Sequence, residues 1–257
     1  MPLYNQFIAF YSILRKEIIR IFRIWTQTLL PSAITQTLYF LIFGTFIGSQ
    51  IKAIDGVSYM AFLIPGLVMM AVITNSFTNV VSSFFGAKFQ KNIEELLVSP
   101  TPNWIILAGF VAGGVVRALL VGSIVLAISI FFVRPEISNI FIILAFALLT
   151  AILFALAGFT NSLFAKSFDD ISIVPNFVLT PLTYLGGVFY SIKNLPPVWQ
   201  NISHYNPIVY MIDGFRYGFY GKSDVDIRLS FGILIASVIA LSILNWSLLN
   251  RGAGLRS

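Results

Sequence analysis

Apolar residues run in long, unbroken blocks along most of this chain. A bilayer core needs about twenty mostly apolar residues per helix, and six stretches meet that need: 29–48, 59–85, 105–133, 140–164, 171–190 and 229–249. Transmembrane strands would instead show segments of about ten residues alternating in polarity. The pattern predicts an all-α polytopic membrane protein with six transmembrane helices.

The segments between these blocks are patterned differently. In residues 1–28, Lys16, Arg20, Arg23 and Gln27 recur at steps of three and four on one helical face, and Leu14, Ile18, Ile21 and Trp25 mark another. That is an amphipathic interfacial helix with its basic side toward headgroups or a partner. Residues 86–103 predict a short helix with an apolar stripe (Phe89, Ile93, Leu96, Leu97), charged by Lys91, Glu94 and Glu95 and stopped by Pro100 and Pro102. The fifth block contains Pro175, Pro181, Gly186 and Gly187. A helix with that content is kinked or broken, which a membrane tolerates only where protein or water satisfies the freed backbone. It leads into residues 191–228, dense in aromatics such as Trp199, Tyr205, Tyr210, Phe215 and Phe219. Aromatics at this density suit a membrane–water interface, so short re-entrant or interfacial helices are expected between the fifth and sixth spans.

Composition agrees. Of 257 residues, 58% are hydrophobic and 10% charged, whereas a soluble domain carries about a quarter charged residues. Nine basic residues (Arg15, Lys16, Arg20, Arg23, Lys88, Lys91, Lys166, Arg251 and Arg256) fall on the side that carries both termini. The other side holds Lys52, Arg134, Lys193, Arg216, Lys222 and Arg228. The bias places both termini in the cytoplasm. It also accounts for the excess of 16 Lys and Arg over 10 Asp and Glu without nucleic acid as a partner. The N-terminus does not read as a cleaved signal, because its basic residues follow the first apolar ones.

The chemistry available is narrow. There is no cysteine and one histidine, His204, so catalytic, cofactor and metal sites are not expected. No phosphate-binding loop of the form GxxxxGK[ST] occurs, and no HExxH or GxSxG. No Asp or Glu falls within the six blocks, which weighs against an ion-coupled transporter. Arg117 lies near the centre of the third block and must face a partner, backbone carbonyls or water; helix packing and contact with an anionic substrate both remain open. In the second block Thr74, Thr78 and Ser82, with Asn75, Asn79 and Ser83 beside them, form a polar stripe that faces either a neighbouring helix or a pathway. Gly109, Gly113 and Gly114 read as close-packing positions.

The segment from Leu179 to Arg216 resembles the signature of type-2 ABC transporter permeases: Leu179, Leu182, Leu185, Gly186 and Val188, then Leu195 and Pro196, then Pro207-Ile208-Val209-Tyr210 with Arg216. The runs FFGAKFQKNIEELLVSP, FAKSFDDIS and PLTYLGGVFYS are similar to the YadH-like branch of bacterial inner-membrane permeases. The resemblance covers almost the whole chain. It implies a single permease domain over 1–257, paired as a homodimer with a separate ATPase subunit that binds ATP and magnesium, this chain holding no cofactor. It also implies that residues 86–103 act as a coupling helix, with Phe89, Lys91, Glu94 and Glu95 toward the ATPase. The function expected is ATP-driven export; a non-transporting, ATPase-coupled signalling or assembly subunit is the alternative.

Overall fold

The computed structural model describes residues 1–254 apart from 52 and 55. Lys52 and Arg256, two of the residues in the charge comparison, lie outside the described residues. The described chain is helical, with no β-structure beyond a bridge between Ile54 and Val57. In chain order the helices are α1 (Leu3–Arg23), α2 (Trp25–Ile47), α3 (Tyr59–Phe89), α4 (Asn92–Val98) and α5 (Asn103–Ser129). There follow α6 (Ile140–Phe164), α7 (residues 170–184), α8 (Pro197–His204), α9 (Pro207–Tyr220) and α10 (Ile227–Asn250).

Local chemistry sets the boundaries. Ser58, Asn139, Asn206 and Asp226 cap the helices that follow them with side-chain oxygens that accept backbone N–H groups. Pro102 stands immediately before α5, and α9 ends at Gly221 with φ +64°.

Among the described residues five helices are long and apolar enough to cross a membrane: α2, α3, α5, α6 and α10. They match five of the six expected blocks to within a few residues. The remaining block, 171–190, does not form one long helix. Its helix stops at Tyr184, runs through π-type turns at Val174–Leu179, and gives way to a turn in which Gly187 has φ +82°. At about 1.5 Å per residue α7 is about 22 Å long, short of a hydrocarbon core of about 30 Å. Pro175 and Pro181 remove two helix donors, which is the physical reason for the interruption.

α3 is the axis of the bundle, 89% buried over its apolar window, with α5, α6 and α9 packed around it. α10 is at the opposite extreme at 11% and α2 little higher at 17%. Their outward faces carry Ile34, Leu38, Ile42 and Phe46 on α2 and Ile235, Ile239 and Ile243 on α10, suited to lipid or to another copy of the chain.

Two expectations change. The buried face of α1 is Ile13, Glu17 and Ile21 rather than the whole apolar stripe; Leu14 and Ile18 are half-buried and Trp25 is exposed. In the 191–228 segment the aromatics divide: Trp199 and Tyr205 are exposed, but Tyr210, Phe215 and Phe219 are buried because α9 is a core helix.

Candidate functional site

The polar stripe of α3 splits into two faces because residues one position apart point about 100° apart on a helix. Asn75, Ser76, Asn79 and Ser83 are buried against neighbouring helices. Asn75 exchanges hydrogen bonds with Ser32 of α2, and the Ser76 hydroxyl donates to the Ala151 carbonyl of α6. Asn79 Oδ1 accepts from Arg20 Nη2 at 2.8 Å. Thr74 and Ser82 are exposed, and Thr78 is half-buried.

These hydroxyls line two adjoining hollows between α2, α3 and α7. One, of about 260 Å³, is walled by Thr35, Gln36, Thr74, Asn75 and Thr183; the other, of about 320 Å³, by Thr78, Ser82, Ser172 and Asn176. Thr74 and Thr180 belong to both, so they form one groove. Its lining mixes hydroxyl and amide groups with apolar side chains such as Met70, Val81 and Ile171, and includes no charged side chain. Tyr39 and Tyr184 close one end, their phenolic oxygens 2.7 Å apart and Phe189 packed against both rings.

Arg117 does not reach this groove. Its Nη2 donates to the Thr28 carbonyl at 3.3 Å, tying α5 to the first turn of α2, and Arg20 lies near enough to repel it.

The structure also holds a group that the sequence pattern missed. Glu17 is fully buried, accepting from Ser83 Oγ at 2.5 Å and from Arg20 at 2.9 and 3.2 Å. α1 can approach this closely because a Cβ on Gly109 or Gly113 would lie 2.6 Å from Ile13 or Glu17. The signal was present as two glycines four apart on α5 and two polar residues four apart on α3.

Of the residues Gly186, Pro196, Pro207, Tyr210 and Arg216, the first and last meet at the turn after α7, and the other three lie at the ends of α8 and α9. Arg216 Nη2 donates to the Gly187 carbonyl at 2.7 Å, and its guanidinium carbon stands 3.9 Å from the centroid of the Phe62 ring. A Cβ on Gly186 would lie 2.8 Å from Ile208. The Pro196 carbonyl opens α8, Pro207 takes the first position of α9, and the Tyr210 hydroxyl donates to the His204 carbonyl. Asn206 caps α9 while its amide donates to Leu182, so the turn is tied to both α7 and α9. These contacts clasp the ends of α7, α8 and α9 together.

A family model described as ABC-2 type transporter matches residues 8–220. The chain belongs to the ABC-2 type transporter family. It is 60% identical over 250 residues to the inner membrane transport permease YadH of Escherichia coli strain K12, covering 97% of this chain and 98% of that one. It is also similar to nodulation protein J of Neorhizobium galegae, 25% identical with 87% of this chain and 86% of the relative covered, and to that of Rhizobium meliloti strain 1021, 26% identical with 81% and 80% covered. As a family member the chain is a transport permease rather than an enzyme.

The permease's α4 follows a corner at Lys91, which adopts φ +61°. Ile93 is buried and Leu96 and Leu97 pack on the core, so most of the expected apolar stripe is covered by the chain itself. Lys91, Glu94, Glu95 and Phe89 stay exposed at one end of the bundle.

Proposed function

We propose that this chain is the membrane-spanning half of an ATP-driven exporter, in which two copies pair and a separate ATPase subunit supplies ATP and magnesium binding. The observation that carries this reading is the row of hydroxyl and amide groups (Thr35, Thr74, Thr78, Asn176, Thr180 and Thr183) set in the groove between α2, α3 and α7. Lipid does not hydrogen-bond such a surface, and a second copy laid over it would turn two open grooves into one enclosed pathway.

In this reading α7 and the turn after it complete a sixth crossing, α8 and α9 form the re-entrant or interfacial segment on the outer side, and α1 lies along the inner interface. Both termini face the cytoplasm, across the inner membrane named for the Escherichia coli relative. Residues 86–103 couple to the ATPase, with Glu94 and Glu95 free to pair with basic groups there. Thr74 and Thr78 line the path, while Asn75, Asn79 and Arg117 hold its walls.

The test uses the absence of cysteine from the chain. Thr35→Cys, placed in the groove wall, is expected to cross-link between two permease copies with a short bismaleimide in membranes. ATP hydrolysis is expected only once the ATPase subunit is added, and reduced when Glu94 and Glu95 are both changed to Lys. A chain that stays monomeric at every linker length overturns the pairing, and hydrolysis by the isolated permease overturns the division of labour.

A further inference from the structure

A cavity of about 520 Å³ lies where α3 and α6 end and α4 begins; one wall belongs to the segment read above as the ATPase contact, and the other, from the end of α6 to Lys166, has no part in that reading. Its wall carries three ammonium groups, Lys88, Lys91 and Lys166, against one carboxylate, Glu94. Lys88 is fixed in place: its Nζ donates to the carbonyls of Leu163 and Ala165 at 2.8 and 2.9 Å, capping the end of α6. Lys166 is close enough to repel it. The nearby Asp170 carboxylate accepts the backbone amides of Lys166 and Ser167. The two ion pairs among the described residues, Glu17–Arg20 and Lys193–Asp224, include none of these lysines.

Lys91 is the non-glycine residue among the described residues that adopts a positive φ. An L-residue with a side chain pays a steric cost there that glycine does not. The side chain at that corner is one of the three cations on this cavity wall.

Beside the lysines stands an exposed aromatic ledge. Phe89 and Phe168 meet edge to face at 5.0 Å, and Phe164 is more than half exposed. Lysines over aromatic and aliphatic surface, at the level where membrane helices end, are the chemistry of a phospholipid headgroup region. The volume is that of a small-molecule pocket rather than a groove for a helix.

We propose that this cavity binds the phosphate of an anionic phospholipid, with Lys91 and Lys166 on the phosphate oxygens, Lys88 as a fixed positive charge behind them, and the upper acyl region on Phe89 and Phe164. The proposal does not depend on whether the chain transports anything.

Purified full-length permease, titrated with dihexanoyl phosphatidylglycerol and followed by native mass spectrometry and thermal unfolding, tests it. Saturable binding is expected, with dihexanoyl phosphatidylcholine and inorganic phosphate each much weaker. Lys166→Gln and Lys91→Gly are each expected to weaken binding about fivefold. Lys91→Gly should melt no lower than the parent, since glycine suits the backbone at that corner, so its loss of binding cannot be misfolding. Equal binding of the neutral lipid, or unchanged affinity in both variants, overturns the proposal. Inorganic phosphate binding as tightly as the lipid overturns the lipid assignment. Variants that keep the lipid but lose the ATPase subunit would make the cavity a protein dock and overturn it as well.

Discussion

The carboxylate of Glu17 meets the hydroxyl of Ser83 at 2.5 Å, across 66 residues of chain. Arg20, one turn further along α1, completes the pair by bonding both Glu17 and Asn79. The N-terminal helix is thereby docked into the bundle by a buried charge pair and does not simply rest on the membrane surface. A movement of α1 must carry α3 with it or break these bonds.

Replacing Glu17 by Leu should be costly. It leaves the Arg20 guanidinium without its carboxylate, an expected loss of about 2–4 kcal/mol; Arg20 stays one-quarter exposed, which keeps the value toward the lower part of the range for a broken buried pair. Glu17→Gln keeps an acceptor for Ser83 and Arg20 and should lose roughly half as much. Thermal unfolding in detergent orders the three proteins parent, Gln, Leu. If all three melt together, the pair contributes nothing.

Gly113 and Gly232 make a matched test of helix contact. A Cβ at Gly113 would stand 2.6 Å from Glu17 Cβ, whereas one at Gly232 meets nothing within 4 Å. Gly113→Leu should push α1 off the bundle and expose the link after Arg23 to trypsin. Gly232→Ala should leave digestion unchanged and raise stability by about 0.5–1 kcal/mol, the helix cost of glycine relative to alanine. Rapid cleavage of both variants would mean that α1 is held by something other than this contact.

How much of this was legible in the sequence follows from which interactions are local. Continuous apolar runs exposed α2, α3, α5, α6 and α10, because spanning a bilayer depends on length and polarity alone. The break in α7 was foreshadowed by Pro175, Pro181, Gly186 and Gly187, but the hydrogen bond from Arg216 to the Gly187 carbonyl was not, since it joins residues 29 apart in the chain. Glu17 was invisible for a related reason. Periodicity along α1 assigns each residue to a face, and the face that buries a charge is set by glycines and polar groups on other helices. The stripe on α3 is polar in the sequence, yet its division into a packed face (Asn75, Ser76, Asn79, Ser83) and a more open hydroxyl face (Thr74, Thr78, Ser82) required the positions of α1 and α7.

Arg216→Lys tests the clasp. Lysine keeps the charge but cannot both lie flat over Phe62 and reach the Gly187 carbonyl as guanidinium does. A hydrogen bond to a charged donor is worth about 1.5–3 kcal/mol, and a loss of that order is expected, concentrated in residues 185–193. Hydrogen exchange should rise in that segment and stay unchanged in α5 and α6. A uniform rise would mean that Arg216 supports the whole bundle rather than the turn.

The groove itself can be tested before any substrate is known. Thiols react as thiolates, which need water, so a cysteine in a wet pathway reacts with a charged methanethiosulfonate reagent and one facing lipid or buried in protein does not. Thr74→Cys lies in the exposed hydroxyl face. Asn79→Cys lies five residues further along α3 on the packed face, fully buried against Arg20. Ile239→Cys, exposed on α10, supplies the lipid-facing control. In membranes Thr74→Cys should react at least about tenfold faster than either of the others, the factor expected where one thiol is ionised in water and the others are held neutral. Substitution at Thr74 should also cost little stability, within about 0.5 kcal/mol as for other surface positions, whereas Asn79→Cys removes an acceptor from Arg20 and should cost about 1–3 kcal/mol. With the ATPase subunit present, ATP should change the Thr74→Cys rate and leave Ile239→Cys unaffected, because a pathway that opens and closes alters access to its wall and not to the lipid face. If Thr74→Cys reacts no faster than Ile239→Cys, the groove is filled by lipid or by packed protein, and the pathway lies elsewhere in the molecule.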